Sequence, residues 1–433
     1  MRVQRLLPLA IAVAVVAASL VISPNFRWAR EGERPPYAGD FLHEWIGGYI
    51  VRAGDRPRLY DREYANALEH DRDLVGFRLR ADSYLPMVYP PVYYLLVSPL
   101  SALSYRTAAW VWVAFSLGCF AVTVGLLQRG LETGGALDRV VPVRDAPGGR
   151  ILGVASLVAL PAAVGFMPFA ENLVSSQKAT FSLLLFTSAL LTLTRGSSFL
   201  AGLVFGLQAI KPQLAIVVPL ALLAKREWRF AAGAALTSGL LVAASIAMGA
   251  GLAEQYLRFA GGVADYVRFG GGYLHRLHGT YGFFTLLAGE ATPMVRVATV
   301  VTDAVVVGLL VRALRGPLDL RAPRVLAQWS ALILATLLVS PHVVTYDLTI
   351  LLLPMFLIGV LLLRGAVPPP RRRVVLWLLV ALYAICAVSP SIARVTRIQP
   401  SVPVMLALLA VLGSTDFGAG AGEPSPTADP RAR

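Results

Sequence analysis

The chain has 433 residues, of which 56% are hydrophobic and only 15% charged. A soluble globule carries about a quarter charged residues, so a water-soluble fold is excluded and lipid is the main solvent. The formal charge of +14 rests on arginine, because the only lysines are Lys178, Lys211 and Lys225. Clusters such as Arg371, Arg372 and Arg373 directly follow apolar runs, which reads as cytoplasmic anchoring rather than nucleic-acid binding.

A span needs roughly 20 apolar residues. Arg2 and Arg5 precede "LLPLAIAVAVVAASLVI" with no clear small-residue cleavage box, so residues 6–23 read as an uncleaved first helix. Residues 24–106 then form a large loop holding eleven of the 25 acidic residues. Within it, "DFLHEWIGGYIV" is amphipathic, and its Phe41, Trp45, Ile46 and Tyr49 are expected to lie along the membrane surface. The proline-punctuated "YPPVYYLLVSPLSALS" (89–104) reads as an interfacial helix, not a span.

Further spans are expected at 107–128, 151–169, 179–194, 230–251, 294–312, 325–340, 346–363, 374–390 and 400–413. Between 198 and 224 the apolar run is interrupted by Lys211 and Pro212. Proline breaks a helix, and a lysine at bilayer depth is costly without water or an anion. Arg195 before this segment and Lys225, Arg226 and Arg229 after it put both ends on the cytoplasmic side, so it reads as two short helices with Lys211 at their outer turn.

The expected fold is thus all-α and polytopic, one transmembrane domain over 1–413 with about 12 membrane helices, both ends inside, and a second outer loop at 252–293. The basic stretches 225–229, 312–324 and 364–373 face the cytoplasm; Arg394 and Arg397, in a short outer loop, are the exception. The Gly-, Pro-, Ala- and Ser-rich tail, 414–433, reads as disordered. Cys119 and Cys386 lie in apolar runs without partner spacing and read as packing residues.

All five histidines fall on the outer side in this topology, so chemistry is expected there. Asp40 opens the amphipathic run, where it is expected to cap the helix, to present a carboxylate at the water–lipid boundary, or to do both, with His43 and Glu44 beside it. Lys211 is expected to meet an anionic group such as a phosphate. Gln177 and Lys178 read as a substrate-facing turn or a polar helix start. His342, Tyr346 and Asp347 lie at the outer end of another hairpin, and His275 and His278 follow the glycines 270–272. Tyr60 and Asp61 read as a loop-stabilising pair. No phosphate-binding P-loop, HExxH, paired CxxC or G-x-S-x-G motif occurs, so neither a metal site nor nucleotide-driven chemistry is indicated.

"GDFLHEW", "GDRPRLYD", "YPPVYYLLVSPLSAL", "SSQKATFSLLL", "AGLVFGLQAIKPQ" and "SPHVVTYDLTILLLP", in this order over about 35–365, resemble the polyprenyl-phosphate-mannose-dependent mannosyltransferases of the GT-C class, specifically glycosyltransferase family 87. The resemblance implies a GT-C-like fold, Asp40 as catalytic base, a juxtamembrane helix at YPP, and Lys211 with His342 against the donor phosphate. His43, Glu44, Gln177, Tyr346 and Asp347 are weaker substrate contacts. Two departures stand out: the usual Gly-Gln is Ser176-Gln177, and the tryptophan and histidine often found after Ser-Pro are absent.

The function so implied is inverting transfer of a sugar, mannose by resemblance, from a polyprenyl-phosphate donor to a glycan or glycolipid acceptor. It would occur at the outer face of the cytoplasmic membrane, with membrane lipid as partner, no nucleic acid and no cofactor. A transporter or lipid-linked sugar flippase is the alternative, since a broken helix with a lysine also marks transport sites. No second copy of the broken pair occurs in the other half of the chain.

Overall fold

The computed structural model describes residues 39–79, 85–141, 162–261 and 274–417. Regular structure among them is helical, with an isolated antiparallel bridge between Leu277 and Val344. Leaving aside one-turn helices, we number them α1 (Phe41–Ala53), α2 (Arg62–His70), α3 (Pro91–Val97), α4 (Tyr105–Leu131), α5 (Met167–Val174) and α6 (Ala179–Thr194). There follow α7 (Ser198–Gly206), α8 (Val217–Ala224), α9 (Trp228–Met248), α10 (Ala250–Gly261) and α11 (Thr280–Ala288). The last are α12 (Pro293–Ala313), α13 (Arg324–Val339), α14 (Leu352–Leu363), α15 (Pro369–Thr396) and α16 (Ser401–Ser414).

Among the described residues, five stretches are long and apolar enough to cross a membrane: α4, α9, α12, α15 and Thr345–Leu363, which ends in α14. Shorter apolar helices occupy 179–194, 198–210, 212–224, 324–339 and 401–414. The chain is an all-α polytopic membrane protein. The expected first span 6–23, most of 151–169, the glycines 270–272 and the tail beyond 417 lie outside the described residues. The span expected to run to residue 169 ends earlier: Phe166 is extended, with φ −71° and ψ 112°, and α5 starts afresh with Pro168 in its first turn. Proline has no amide to donate and fits a helix best in its first turn, where that amide would be unpaired anyway.

Helix α13 forms the middle of the bundle, buried without interruption from Val325 to Leu338. A helix apolar on every side fits either the inside of the bundle or lipid, and α13 takes the inside. Around it α4, α9, α12 and α15 turn residues such as Trp110, Leu240, Val300 and Trp377 outward. Water would not tolerate so broad an apolar belt, and lipid does.

A glycine on each helix allows α7 to lie against α9. A Cβ on Gly202 would run into the Phe230 carbonyl oxygen, and one on Gly233 into that of Phe199, the close approach typical of small-residue helix pairs in membranes. Thr237 Oγ1 donates to Leu203 O at 2.9 Å, and Ser238 Oγ to Gly206 O at 3.2 Å. These contacts climb both helices in the same direction, so α7 and α9 are parallel. The feet also meet, since Ser198 Oγ donates to Glu227 Oε2 at 2.6 Å. The chain from Gly206 to Glu227 must therefore return to its starting level, and the expected broken hairpin is formed with Lys211 at its far end.

The juxtamembrane pair α1 and α3 differs from expectation in one respect. At seven residues, or about 10 Å, α3 cannot span. Helix α1, however, does not lie on the membrane: Phe41, Trp45 and Ile46 are buried in protein, as are His43 and Glu44. Gly47 and Gly48 permit this, because the Tyr94 ring and the Ser98 backbone occupy the space that side chains would need. Arg52 closes the far end, donating from Nε to Ser101 Oγ and from Nη2 to Ser101 O, each at 3.0 Å.

Candidate active site

Asp40 stands at the start of α1, yet it does not cap the helix. Its backbone is already helical (φ −74°, ψ −18°) and its side chain accepts no bond from the first turn; a capping aspartate has an extended backbone. Asp61 shows the contrast, with ψ 108° and its carboxylate accepting from Tyr64 N to cap α2. The capping reading thus fails at Asp40, and Asp61, read as pairing with Tyr60, is a helix cap instead. Asp61 also pairs with Arg58 at 3.5 Å, while Tyr60 instead donates its hydroxyl to Tyr89 O at 2.6 Å.

Freed from capping, the Asp40 carboxylate turns to the 172–179 turn, where Gln177 Nε2 donates to Oδ2 at 2.9 Å. That turn is held from all sides. Gln177 N donates to Asn172 O at 2.9 Å, Ala179 N to Asn172 Oδ1 at 2.8 Å, and Trp112 Nε1 to Ser176 O at 2.7 Å. Ser116 Oγ adds a bond to Gln177 O at 3.2 Å. Ser176 has φ 49°, in the left-handed region that glycine occupies at no cost. Its place in a Gly-Gln-like motif is therefore a backbone requirement, met here by a serine under strain.

One helical turn beyond Asp40, Glu44 forms a buried ion pair with Lys178 and accepts from the Tyr93 hydroxyl. Lys178 Nζ lies 3.7 Å from the centre of the Tyr89 ring and 4.7 Å from that of Tyr93. His43 stacks on Tyr89, the ring centroids 5.7 Å apart. Burial, seconded by the Lys178 charge, lowers its pKa to about 3, so His43 is neutral.

The second wall is the Lys211 turn with the 340–347 segment. Lys211 pairs with Asp347 and lies 5.4 Å from the Tyr346 ring centre. Asp347 also accepts from Val344 N at 3.2 Å. His342 is partly exposed beside this pair. On a third side Arg276 pairs with Glu171 of α5. His278, by contrast, is a structural residue, bonded to Ser401 Oγ at 2.7 Å and Thr345 Oγ1 at 3.2 Å. His275 faces Arg394 at 3.1 Å, which places that exceptional arginine at the same end of the bundle as the site.

Four carboxylates and three cations thus converge. Glu44, Asp347 and Glu171 are each matched to Lys178, Lys211 and Arg276, and Asp40 is left with the neutral amide of Gln177. Burial raises the Asp40 pKa above its usual 3.8, opposed by Arg276, by the Gln177 bond, and by Lys178 and Lys211. Burial also raises Glu44, with Lys178 opposing.

The sequence profile of glycosyltransferase family 87 matches residues 87–341, more than half of the chain. The chain belongs to glycosyltransferase family 87. The matched stretch of this glycosyltransferase carries Tyr89, Gln177, Lys178, Lys211 and Arg276; Asp40 and Glu44 precede it, and His342 and Asp347 follow it. Neither the curated proteins nor the solved structures compared with it gave a match.

Asp40, His43, Glu44, Gln177, Lys211, His342, Tyr346 and Asp347 lie in this cluster, whereas the histidine candidates of the second loop, His275 and His278, make structural contacts beside it. Two that complete it were not expected there, Arg276 and Glu171, while Lys178, read with Gln177 as a substrate-facing turn or a polar helix start, pairs with Glu44. Lys178 had a visible signal, being one of three lysines and adjacent to Gln177. Arg276 had none, hidden among many arginines and brought in by a loop.

Proposed function

We propose that this glycosyltransferase moves a sugar, mannose in our reading, from a polyprenyl-phosphate donor to a hydroxyl of a glycan or glycolipid, with inversion. The observation that carries the proposal is the unmatched carboxylate of Asp40 among three ion pairs. A carboxylate neutralised by a lysine is a poor base. One desolvated and held by an amide keeps both its negative charge and a raised proton affinity, and a catalytic pKa nearer the working pH transfers protons better. Gln177 fixes Oδ2 and leaves Oδ1 for the acceptor.

As the acceptor oxygen bonds to the anomeric carbon, the bond from that carbon to the phosphate oxygen breaks. The electron pair leaves on the phosphate, and the hydroxyl proton passes to Asp40. A positioned base contributes typically about 10²–10⁴-fold. Positive charge facing the departing phosphate adds stabilisation where charge develops, and Lys211 with His342 beside it is the wall that supplies it.

The arginine-rich stretches at the opposite ends of the helices favour an outer-face site in the cytoplasmic membrane. Nucleotide sugars are absent there, which is why the donor must arrive on lipid. The test is Asp40→Asn assayed with a radiolabelled polyprenyl-phosphate sugar in membranes: transfer is expected to vanish while the protein level holds. Full retained transfer would remove Asp40 from the mechanism.

A further inference from the structure

We infer that Arg276 is a ligand of the donor's phosphate, held in place by Glu171 until the phosphate takes its guanidinium. The inference rests on the lipid-phosphate reading above and assigns it a cation from the second loop.

The backbone around Arg276 is fixed to the wall that carries Asp347. His278 N donates to Val343 O at 2.8 Å, and Leu277 bridges Val344. Gln399 Nε2 donates to His275 O at 2.8 Å and to Leu277 O at 3.2 Å, so the residues on both sides of Arg276 are held by one amide. The guanidinium reaches across to Glu171 on α5, the helix that runs into the Gln177 turn. Arg276 therefore bridges the Asp347 wall and the wall that positions Asp40, and its charge acts on Asp40 more strongly than either lysine does.

Accessibility separates the three cations. The Lys178 and Lys211 side chains are 1% and 4% exposed, and their carboxylates 0% and 2%; Arg276 and Glu171 are 29% and 14% exposed. Parting a buried pair strands a desolvated charge and is strongly unfavourable, whereas parting a part-exposed pair costs less because water reaches the released carboxylate. Arg276 is thus the cation whose partner is most readily exchanged for phosphate. Its planar fork also matches two phosphate oxygens at once, which an ammonium cannot do.

The charge change of the reaction calls for such a group. The donor phosphodiester carries one negative charge, and cleavage of the sugar–oxygen bond leaves the electron pair on phosphate as a second. The acceptor proton goes to Asp40 and not to the leaving group, so the second charge must be met by cations, and Arg276 adds to what Lys211 supplies.

The experiment is titration of the detergent-solubilised full chain with farnesyl phosphate, and with farnesol as the uncharged control. Wild type is expected to bind the phosphate more tightly than the alcohol. Arg276→Ala should weaken farnesyl phosphate binding at least about tenfold and leave farnesol unchanged, the scale of one charge-assisted bidentate contact. Arg276→Lys should recover part of the loss, and Glu171→Gln, which keeps the cation, should bind at least as tightly as wild type. If Arg276→Ala binds like wild type, or if Glu171→Gln loses as much as Arg276→Ala, the pair is only a structural strap and the inference is wrong. If wild type does not distinguish the phosphate from the alcohol, the lipid-phosphate reading falls as well.

Discussion

Lys178 and Lys211 both end on a carboxylate from a distant part of the chain, and both lie over tyrosine, yet their surroundings differ. Lys178 is enclosed by Tyr89 and Tyr93, and the Tyr93 hydroxyl also holds its partner Glu44. Lys211 has one tyrosine at 5.4 Å and the partly exposed His342 nearby. A cation over two aromatic faces in a dry site gains up to about 2 kcal/mol per good contact and has no reason to move. A cation beside a half-buried histidine can share its charge with an incoming anion. The first lysine builds the site and the second is placed to use it.

Four experiments bear on that contrast. The largest effect is expected where neither lysine intervenes: Asp40→Asn should lower turnover by about 10²–10⁴-fold, measured against unchanged folding in detergent. A loss of less than tenfold would mean that the unmatched carboxylate is not the base.

Next comes the pair itself. Removing one partner of a buried ion pair costs about 3–5 kcal/mol, so Lys178→Met should lower the thermal midpoint sharply, and Glu44→Gln with Lys178→Met should restore most of it. Lys211→Met should cost less stability and instead raise the donor KM by about tenfold, the value of one charge-assisted contact. Equal stability losses at the two lysines would erase the distinction drawn here.

A third measurement is the pH profile. Burial raises the Asp40 pKa above 3.8, and a general base works only when deprotonated. Activity must therefore fall as pH drops through that raised value, with the acid limb of kcat/KM above the ordinary carboxylate range. A limb at or below 3.8 would place the base elsewhere.

The smallest effect lies away from the site, in α2. Glu69 is buried, accepts from Leu85 N at 3.2 Å, and burial raises its pKa from 4.5 to about 8. The folded state holds that proton more tightly than the unfolded one, so the stabilising difference is complete below 4.5 and is lost as pH rises through 8. Glu69→Gln should leave the midpoint near pH 5 almost unchanged and raise it near pH 9. No gain at high pH would show that water reaches this carboxylate.

The hairpin at Lys211 was legible because three independent signals agreed: a proline, a lysine in an apolar run, and basic residues at both feet. The non-spanning YPP helix was legible from its length and prolines. Misreading α1 as a surface helix had a physical cause. Amphipathicity shows that one face is apolar, but not whether lipid or protein covers it, and the deciding contacts at Gly47 and Gly48 come from Tyr94 and Ser98, some fifty residues on. The capping reading of Asp40 failed for a related reason: aspartate before a helix is a local signal, and the Gln177 amide that overrode it lies 137 residues away.

Composition, run length and the placement of arginine determined by themselves that this chain crosses a membrane many times and which residue types could do chemistry, because transfer into lipid depends on each segment alone. Which carboxylate keeps its charge unmatched was decided only in the folded molecule. Asp40, Glu44, Glu171 and Asp347 are alike in sequence, and the pairing of three of them with Lys178, Arg276 and Lys211 joins segments that have no local reason to meet. A charge acts through space, over the few ångströms that only packing can set.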